Sequence, residues 1–258
     1  MKKLIIANWK MNPQTVEEAR HLVSAIEHRM SSVVDNVEVV ICAPFVYLPA
    51  LSHYTHHLSL GAQNISWVEH GAMTGEISAS QVKQWKANYV ILGHSERRLN
   101  LGETDSIVNA KIFTALKYKL TPIVCLGAEE DATKDEMKAI VTKQFNKVTK
   151  HLEPKELENI IYVYEPTWSI STSRHSYPAT GEHALELINH IYSLLEKKLA
   201  KGVARNIRVL YGGTVNKDNV HEYAKYPEID GALVGAASLD SDNFWQVVTE
   251  FNRESVHK

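Results

Sequence analysis

The sequence predicts an α/β protein, a single closed (β/α)8 barrel of eight parallel strands spanning residues 1–258, and three observations lead there. Eight short apolar runs recur along the chain, at residues 4–7, 37–43, 58–62, 89–92, 122–126, 160–164, 207–211 and 232–234. Between them lie amphipathic patterns at helical spacing, such as Ala19, Leu22, Val23 and Ile26. Strand and helix repeated in this way make parallel strands joined by right-handed crossovers, because each connection is too long for a hairpin. The third observation is size: 258 residues match one such barrel, typically about 250. An open doubly wound sheet is the structural alternative. The chain carries neither a Gly-x-Gly-x-x-Gly fingerprint nor a Gly-x-x-x-x-Gly-Lys loop, so closure is favoured.

Each element has a local reason. The first run follows Met1-Lys2-Lys3 in the manner of a secretory leader, but it meets Asn8 and Lys10 too soon for an export segment and reads as the first strand. Asn12-Pro13 offers a cap and a first-turn proline, which predicts that the first helix opens there. After the third strand the connection 63–78, with Trp67, Met73 and Glu76, is out of proportion. Loops of that length usually have a job, and its apolar residues need a partner surface. Further helices follow from Ile107, Ile112, Ala115 and Leu116, and from Leu185, Leu187, Ile188, Ile191 and Leu194. Between those two patterns, Ile160-Ile161-Tyr162-Val163-Tyr164 is apolar throughout and reads as a strand buried on both faces. Pro166 cannot extend a central strand, so Glu165 stands at a strand's C-terminal end. The last helix is expected to follow Ser241-Asp242-Asn243, and the polar tail 252–258 to fray.

Composition narrows the function. Hydrophobic content of 44%, charged content of 22% and a net charge of -2 describe an ordinary globular chain without the basic excess that binding a phosphate backbone needs. Nucleic acid is therefore not an expected partner. No run approaches the roughly 18 apolar residues of a membrane span, and a cytoplasmic location is expected. Asn64-Ile65-Ser66 is a glycosylation acceptor only if the chain is exported. Cys42 and Cys125 end apolar runs far apart in sequence, which fits reduced, buried thiols. His53, His56 and His57 have helical metal-ligand spacing, but no carboxylate or cysteine cluster accompanies them, and they read as a surface helix.

In a closed barrel the C-terminal strand ends converge on one face, where such folds keep their chemistry. The first strand delivers Asn8, Trp9 and Lys10; the fourth Gly93, His94, Ser95, Glu96, Arg97 and Arg98; the sixth Glu165. The seventh and eighth end in Tyr211-Gly212-Gly213-Thr214 and Gly235-Ala236-Ala237-Ser238, glycine-bearing turns of the kind that bind phosphate through backbone N–H groups. Lysine, histidine and glutamate around one mouth make a general-base and electrophile set.

Seven segments, taken in register, resemble the triosephosphate isomerases: Ala7-Asn8-Trp9-Lys10-Met11-Asn12, Gly61-Ala62-Gln63-Asn64, Gly71-Ala72-Met73-Thr74-Gly75-Glu76-Ile77-Ser78, residues 93–98, Tyr164-Glu165-Pro166, Tyr211-Gly212-Gly213 and Leu233-Val234-Gly235. The resemblance runs from Lys3 to Leu239. It implies a TIM barrel that interconverts dihydroxyacetone phosphate and glyceraldehyde 3-phosphate through an enediolate, in glycolysis and gluconeogenesis, with no metal or organic cofactor. On that basis Glu165 is the expected base, His94 a neutral electrophile and proton shuttle, and Lys10 the electrostatic stabiliser. Asn8, Ser171, Thr214, Gly235 and Ala236 are expected to bind substrate with Lys10. Glu96 would place Lys10; Tyr211 would support the lid, and Ile170 with Leu233 would dry Glu165 when the lid closes. The loop around Thr74, Gly75 and Glu76 implies a homodimer.

The chain departs from the family pattern in its lid, which reads Ile170-Ser171-Thr172-Ser173 where the family has Ile-Gly-Thr-Gly. The following segment 174–179 looks about three residues longer than usual, which predicts an altered hinge. Ala128 stands where the family has a glutamate, Ala236 where it has a glycine, and Thr214 where it has a serine. These changes touch lid and phosphate grip, not the acid–base set. They leave two other readings: an isomerase of a related phosphosugar such as a tetrulose phosphate, and a weakly active phosphate-metabolite-binding scaffold.

Overall fold

Strands buried on both faces need two cores, one inside the barrel and one between barrel and helices. The computed structural model describes residues 1–33, 36–128, 133–167, 179–200 and 202–256, and it contains both cores. Among the described residues eight parallel strands close in sequence order: β1 (Lys3–Asn8), β2 (Val37–Ala43), β3 (Ser59–Ala62), β4 (Ala87–Leu92), β5 (Thr121–Ala128), β6 (Ile161–Pro166), β7 (Val209–Tyr211) and β8 (Gly231–Val234). β1 pairs with both β2 and β8, which removes the sheet edge. Every apolar run in the sequence is one of these strands, with small shifts at the ends.

Alternate residues divide between the two cores. Leu4, Ile6, Cys42, Ile123, Cys125 and Val163 fill the barrel. Ile5, Ala7, Ile41, Val124, Tyr162 and Tyr164 face outward onto the helices. Those helices are α1 (Val16–Val33), α2 (Leu48–Leu51), α3 (Ala79–Lys83), α4 (Ser95–Leu101), α5 (Asp105–Lys117), α6 (Lys134–Val148), α7 (Pro154–Leu157), α8 (Gly181–Glu196), α9 (His221–Ala224) and α10 (Ser241–Val256). α8 shows the amphipathic logic: Ala184, Leu187, Ile188, Ile191 and Leu195 are buried along one stripe. One close approach decides the site's geometry. A Cβ at Gly127 would lie 2.3 Å from the carbonyl oxygen of Glu165, so β5 and β6 can meet at that level only because residue 127 has no side chain. Cys42 and Cys125 are free and buried, and burial pushes both thiols up from their ordinary pKa.

Three local expectations are corrected. α1 begins at Val16, not at Pro13, because Thr15 and Glu18 form the cap: Glu18 N–H donates to Thr15 Oγ1 at 3.2 Å and Thr15 N–H to Glu18 Oε2 at 3.3 Å. The peptide between Asn12 and Pro13 is cis. At the other end, α10 includes Ser241, and its cap is Asp240, whose Oδ1 accepts from the N–H groups of Asp242 and Asn243 at 2.9 and 3.0 Å. His53, His56 and His57 lie in the turn after α2, not on a surface helix. Glu27 of α1 pins that turn: it accepts from the N–H groups of His56, His57 and Leu58, and it stands 2.7 Å from His57 Nδ1. The long connection 63–78 is a loop, as expected, and it ends where Ser78 caps α3. Thr74 and Gly75 are exposed at its tip.

Candidate active site

The pleat selects the residues that reach the mouth of the barrel. The inward rows Leu4, Ile6, Asn8 and Ile161, Val163, Glu165 each run two apolar residues and then a polar one at the C-terminal end. His94 follows β4 after Gly93, and Lys10 follows β1 after Trp9. Together with Leu233 and the turns 212–216 and 235–237 they line a cleft of about 300 Å³.

Glu165 is 1% exposed, and its Oε2 accepts the backbone N–H of Ser95 at 2.9 Å. Its Oε1 stands 2.9 Å from His94 Nε2, but no hydrogen bond is aligned on that oxygen. Burial acts to raise the Glu165 pKa; the His94 ring and the Ser95 N–H outweigh it and hold the carboxyl below the ordinary range. On His94, burial acts to lower the pKa, and the Glu165 charge outweighs it and raises the imidazole above its usual value in the ligand-free cleft. A second contact opposes imidazolium. His94 is the N-cap of α4, and its Nδ1 accepts Glu96 N–H at 3.2 Å, which requires a lone pair on Nδ1 and puts the proton of a neutral ring on Nε2.

Lys10 sits at φ +54°, a conformation that costs a residue with a side chain about 1 kcal/mol or more. Its ammonium is 2.6 Å from Glu96 Oε1. Asn8 Oδ1 accepts the Lys10 N–H at 3.2 Å. The turn after β7 is fixed by Asn219, which donates to the Thr214 carbonyl at 2.8 Å and accepts Asn216 N–H at 2.9 Å. After β8, Ser238 Oγ donates to the Gly235 carbonyl at 2.6 Å, and residues 236–239 form a single 3-10 turn. Ala236 is exposed, and Leu233 is a buried wall of the cleft. Tyr211 lies behind the cleft with its ring stacked on Tyr223 at 4.2 Å. Ile170 and Ser171 fall outside the described residues, as does the whole segment 168–178 expected to form a lid. At Ala179 the carbonyl accepts the Tyr223 hydroxyl at 2.7 Å.

A family model described as triosephosphate isomerase matches residues 3–251. The chain belongs to the triosephosphate isomerase family. Among its relatives, a triosephosphate isomerase of Dictyoglomus thermophilum is 40% identical over 96% of this chain and 98% of its own. Those of Alkaliphilus oremlandii and Moorella thermoacetica are 40% and 39% identical, each over 96% of this chain and 99% and 98% of their own. The family is one of isomerases, and no helix among the described residues is long and apolar enough to cross a membrane. No group of three or more His, Cys, Asp or Glu among the described residues is placed to hold a metal ion.

Several contacts that shape the site were not foreseen from the sequence. Ser95 contributes a backbone N–H, which no residue type advertises. Gln63 donates through Nε2 to the carbonyls of Lys10 and Cys42 at 2.8 and 2.9 Å. Beneath the β4–α4 turn, Glu103 bonds the Gly93 N–H at 3.1 Å, Arg97 Nε at 3.1 Å and the buried ammonium of Lys111, which also donates to Asn64 Oδ1 at 2.7 Å. A carboxylate followed by a lysine on the next helix was visible in the sequence, but nothing there marked the pair as buried.

Proposed function

We propose that this chain catalyses the interconversion of dihydroxyacetone phosphate and glyceraldehyde 3-phosphate, with Glu165 as base, His94 as electrophile and proton shuttle, and Lys10 as electrostatic stabiliser. The observation that carries this is the pair Glu165 and His94: a buried carboxylate oxygen with no aligned hydrogen bond, 2.9 Å from the Nε2 of an imidazole, at one wall of a cleft that also holds Lys10. A base must be close to a carbon-bound proton while a donor is close to the neighbouring oxygen, and adjacent groups of opposite role meet that demand. Substrate entering between them separates the Glu165 charge from the ring and removes what raises His94, leaving the neutral donor that the Glu96 N–H favours. The ammonium of Lys10 then offsets charge on the enediolate and the phosphate. Phosphate is held by N–H groups of Thr214, Gly235 and Ala236 and by Ser171, with Asn8 orienting substrate and Glu96 placing Lys10. Closure of a lid over 168–178 brings Ile170 toward Leu233 and dries the base. The enzyme works in the cytoplasm, in glycolysis and gluconeogenesis.

The reading is tested by kcat/KM for glyceraldehyde 3-phosphate against a tetrulose phosphate, since specificity is a ratio of such values. A clear preference for the triose is expected. A preference for the tetrulose would reassign the substrate, and phosphate binding without turnover would reduce the chain to a scaffold.

The chain acts as a homodimer in which the loop carrying Thr74, Gly75 and Glu76 packs on a second copy. Its exposed tip and the exposed apolar side chains of Met11 (87%), Val46 (76%) and Leu101 (65%) support this, because such residues need cover. Thr74→Arg should convert the dimer to monomer in sedimentation equilibrium and lower activity with it. A variant that stays dimeric and fully active would place the interface elsewhere.

A further inference from the structure

We propose that Ser238 is the positioning residue that aims the Ala236 N–H at the substrate's phosphate, an inference that rests on the reading of the turn after β8 as a phosphate site. Gly235, Ala236 and Ala237 line the cleft, whereas Ser238 does not and is fully buried behind them. Two bonds run from Ser238 to a single atom. Its N–H donates to the Gly235 carbonyl at 2.9 Å, and its hydroxyl donates to the same oxygen at 2.6 Å. A carbonyl oxygen has two lone pairs, so two donors from one buried residue fix the direction of that C=O as well as its position. The peptide joining Gly235 to Ala236 is trans and planar, which sets its N–H opposite its C=O. With the carbonyl held toward the buried Ser238, the Ala236 N–H faces the cleft.

That direction needs holding. The Gly235 ψ that orients this peptide is −110°, neither helical nor extended, so no regular ladder sets it. The same peptide adjoins the site's cation: a Cβ built at Gly235 would lie 3.6 Å from Lys10 Cε and 3.9 Å from Lys10 Nζ. An N–H aimed beside an ammonium gives a phosphate a directed donor next to a point charge. Ser238 touches neither the cleft nor Lys10, so it acts through the peptide. Without its hydroxyl one donor remains on the carbonyl, the peptide rocks about that single bond, and the N–H points at the phosphate for only part of the time.

The test measures kcat and KM for glyceraldehyde 3-phosphate, the Kd for inorganic phosphate, and kcat/KM for glyceraldehyde, which carries no phosphate. Ser238→Ala removes one buried hydrogen bond and should raise KM and the phosphate Kd together by about three- to tenfold. Its kcat should stay within about twofold of wild type, because the phosphate carries the same charge in substrate and transition state. Ser238→Cys fills the lost volume with a weak donor and should track alanine, which separates the aim of the hydroxyl from its bulk. For glyceraldehyde the loss should be under about twofold in either variant, since that substrate never meets the donor. An unchanged phosphate Kd in both variants, or a loss for glyceraldehyde as large as that for its phosphate ester, would overturn the proposal; should Ser238→Ala not fold, Ser238→Cys decides alone. If the wild type neither binds inorganic phosphate nor prefers the ester to glyceraldehyde, it is the phosphate reading of the turn that fails.

Discussion

Replacing Glu165 with alanine should lower kcat by roughly a thousandfold or more while the protein stays folded. The carboxylate is 1% exposed and held by a single backbone N–H, that of Ser95, at 2.9 Å. Burial works against its charge, and the groups that keep it ionised, His94 and Ser95, belong to the cleft itself. The groups that hold this charge belong to the cleft and not to the core of the fold, so its removal should be felt far more in kcat than in the unfolding midpoint. Glu165→Asp sharpens the point. Withdrawing the same group by one methylene keeps its chemistry and breaks its reach, and displacement of that order can cost about a hundredfold. Steady-state kinetics beside thermal unfolding separates the effects: alanine and aspartate should rank in kcat and coincide in midpoint. A kcat unchanged by alanine would remove Glu165 from the role of base.

The residues that could be placed from sequence share a property: their position follows from a strand end. Glu165 is legible because the buried run 160–164 precedes it and Pro166 stops it, and the inward row from Ile161 through Val163 then delivers it to the cleft. Asn8 follows the same logic on β1. What sequence hides is the partner set. The first helix starts at Val16 and not at Asn12-Pro13, because the reciprocal bonds of Thr15 and Glu18 cap it there. The histidines at 53, 56 and 57 have helical spacing, but α2 ends at Leu51, and Glu27, distant in sequence, holds the turn instead. Ser95 and Gln63 act on backbone groups whose whereabouts depend on how β1, β2, β4 and β6 close, and closure is a property of the whole chain. The Glu103–Lys111 pair is hidden for a related reason. Which turn of α5 faces β4 decides that both charges are buried, and neither residue's neighbours in sequence reveal it.

That pair carries the largest expected effect on stability. Glu103→Ala should destabilise the fold by about 3–5 kcal/mol, the usual consequence of leaving one member of a buried ion pair alone. The side chains of Glu103 and Lys111 are 2% and 1% exposed. Burial acts to raise the Glu103 pKa, but the hydrogen bond and charge of Lys111, with Arg97 behind them, hold it below the ordinary carboxylate range. For Lys111 burial, aided by the Arg97 charge, prevails over Glu103 and the weaker influence of Glu76 and pushes its pKa down. The two directions differ because Glu103 has three donors around it and Lys111 has one charged acceptor, so the lysine suffers more from the loss. It would retain Asn64 Oδ1 at 2.7 Å and the Trp67 ring at 5.9 Å, neither of which replaces a charge. Gly93, next to His94, would lose the acceptor of its N–H, so activity should fall as well. The pH dependence follows from the sign of the Glu103 shift. A depressed carboxyl pKa contributes stability that is present above the unfolded-state value, about 4.3, and is lost as pH falls through the folded-state value. Urea unfolding at fixed protein concentration should therefore show a constant gap between wild type and variant near neutrality that closes on acidification. A gap under about 1 kcal/mol, or one that persists in acid, would mean that the pair does not carry this stability. Glu103→Leu combined with Lys111→Met should recover part of the loss, because an apolar pair of similar volume relieves the uncompensated charge. It should not recover activity, since the Gly93 N–H beside His94 still lacks its acceptor.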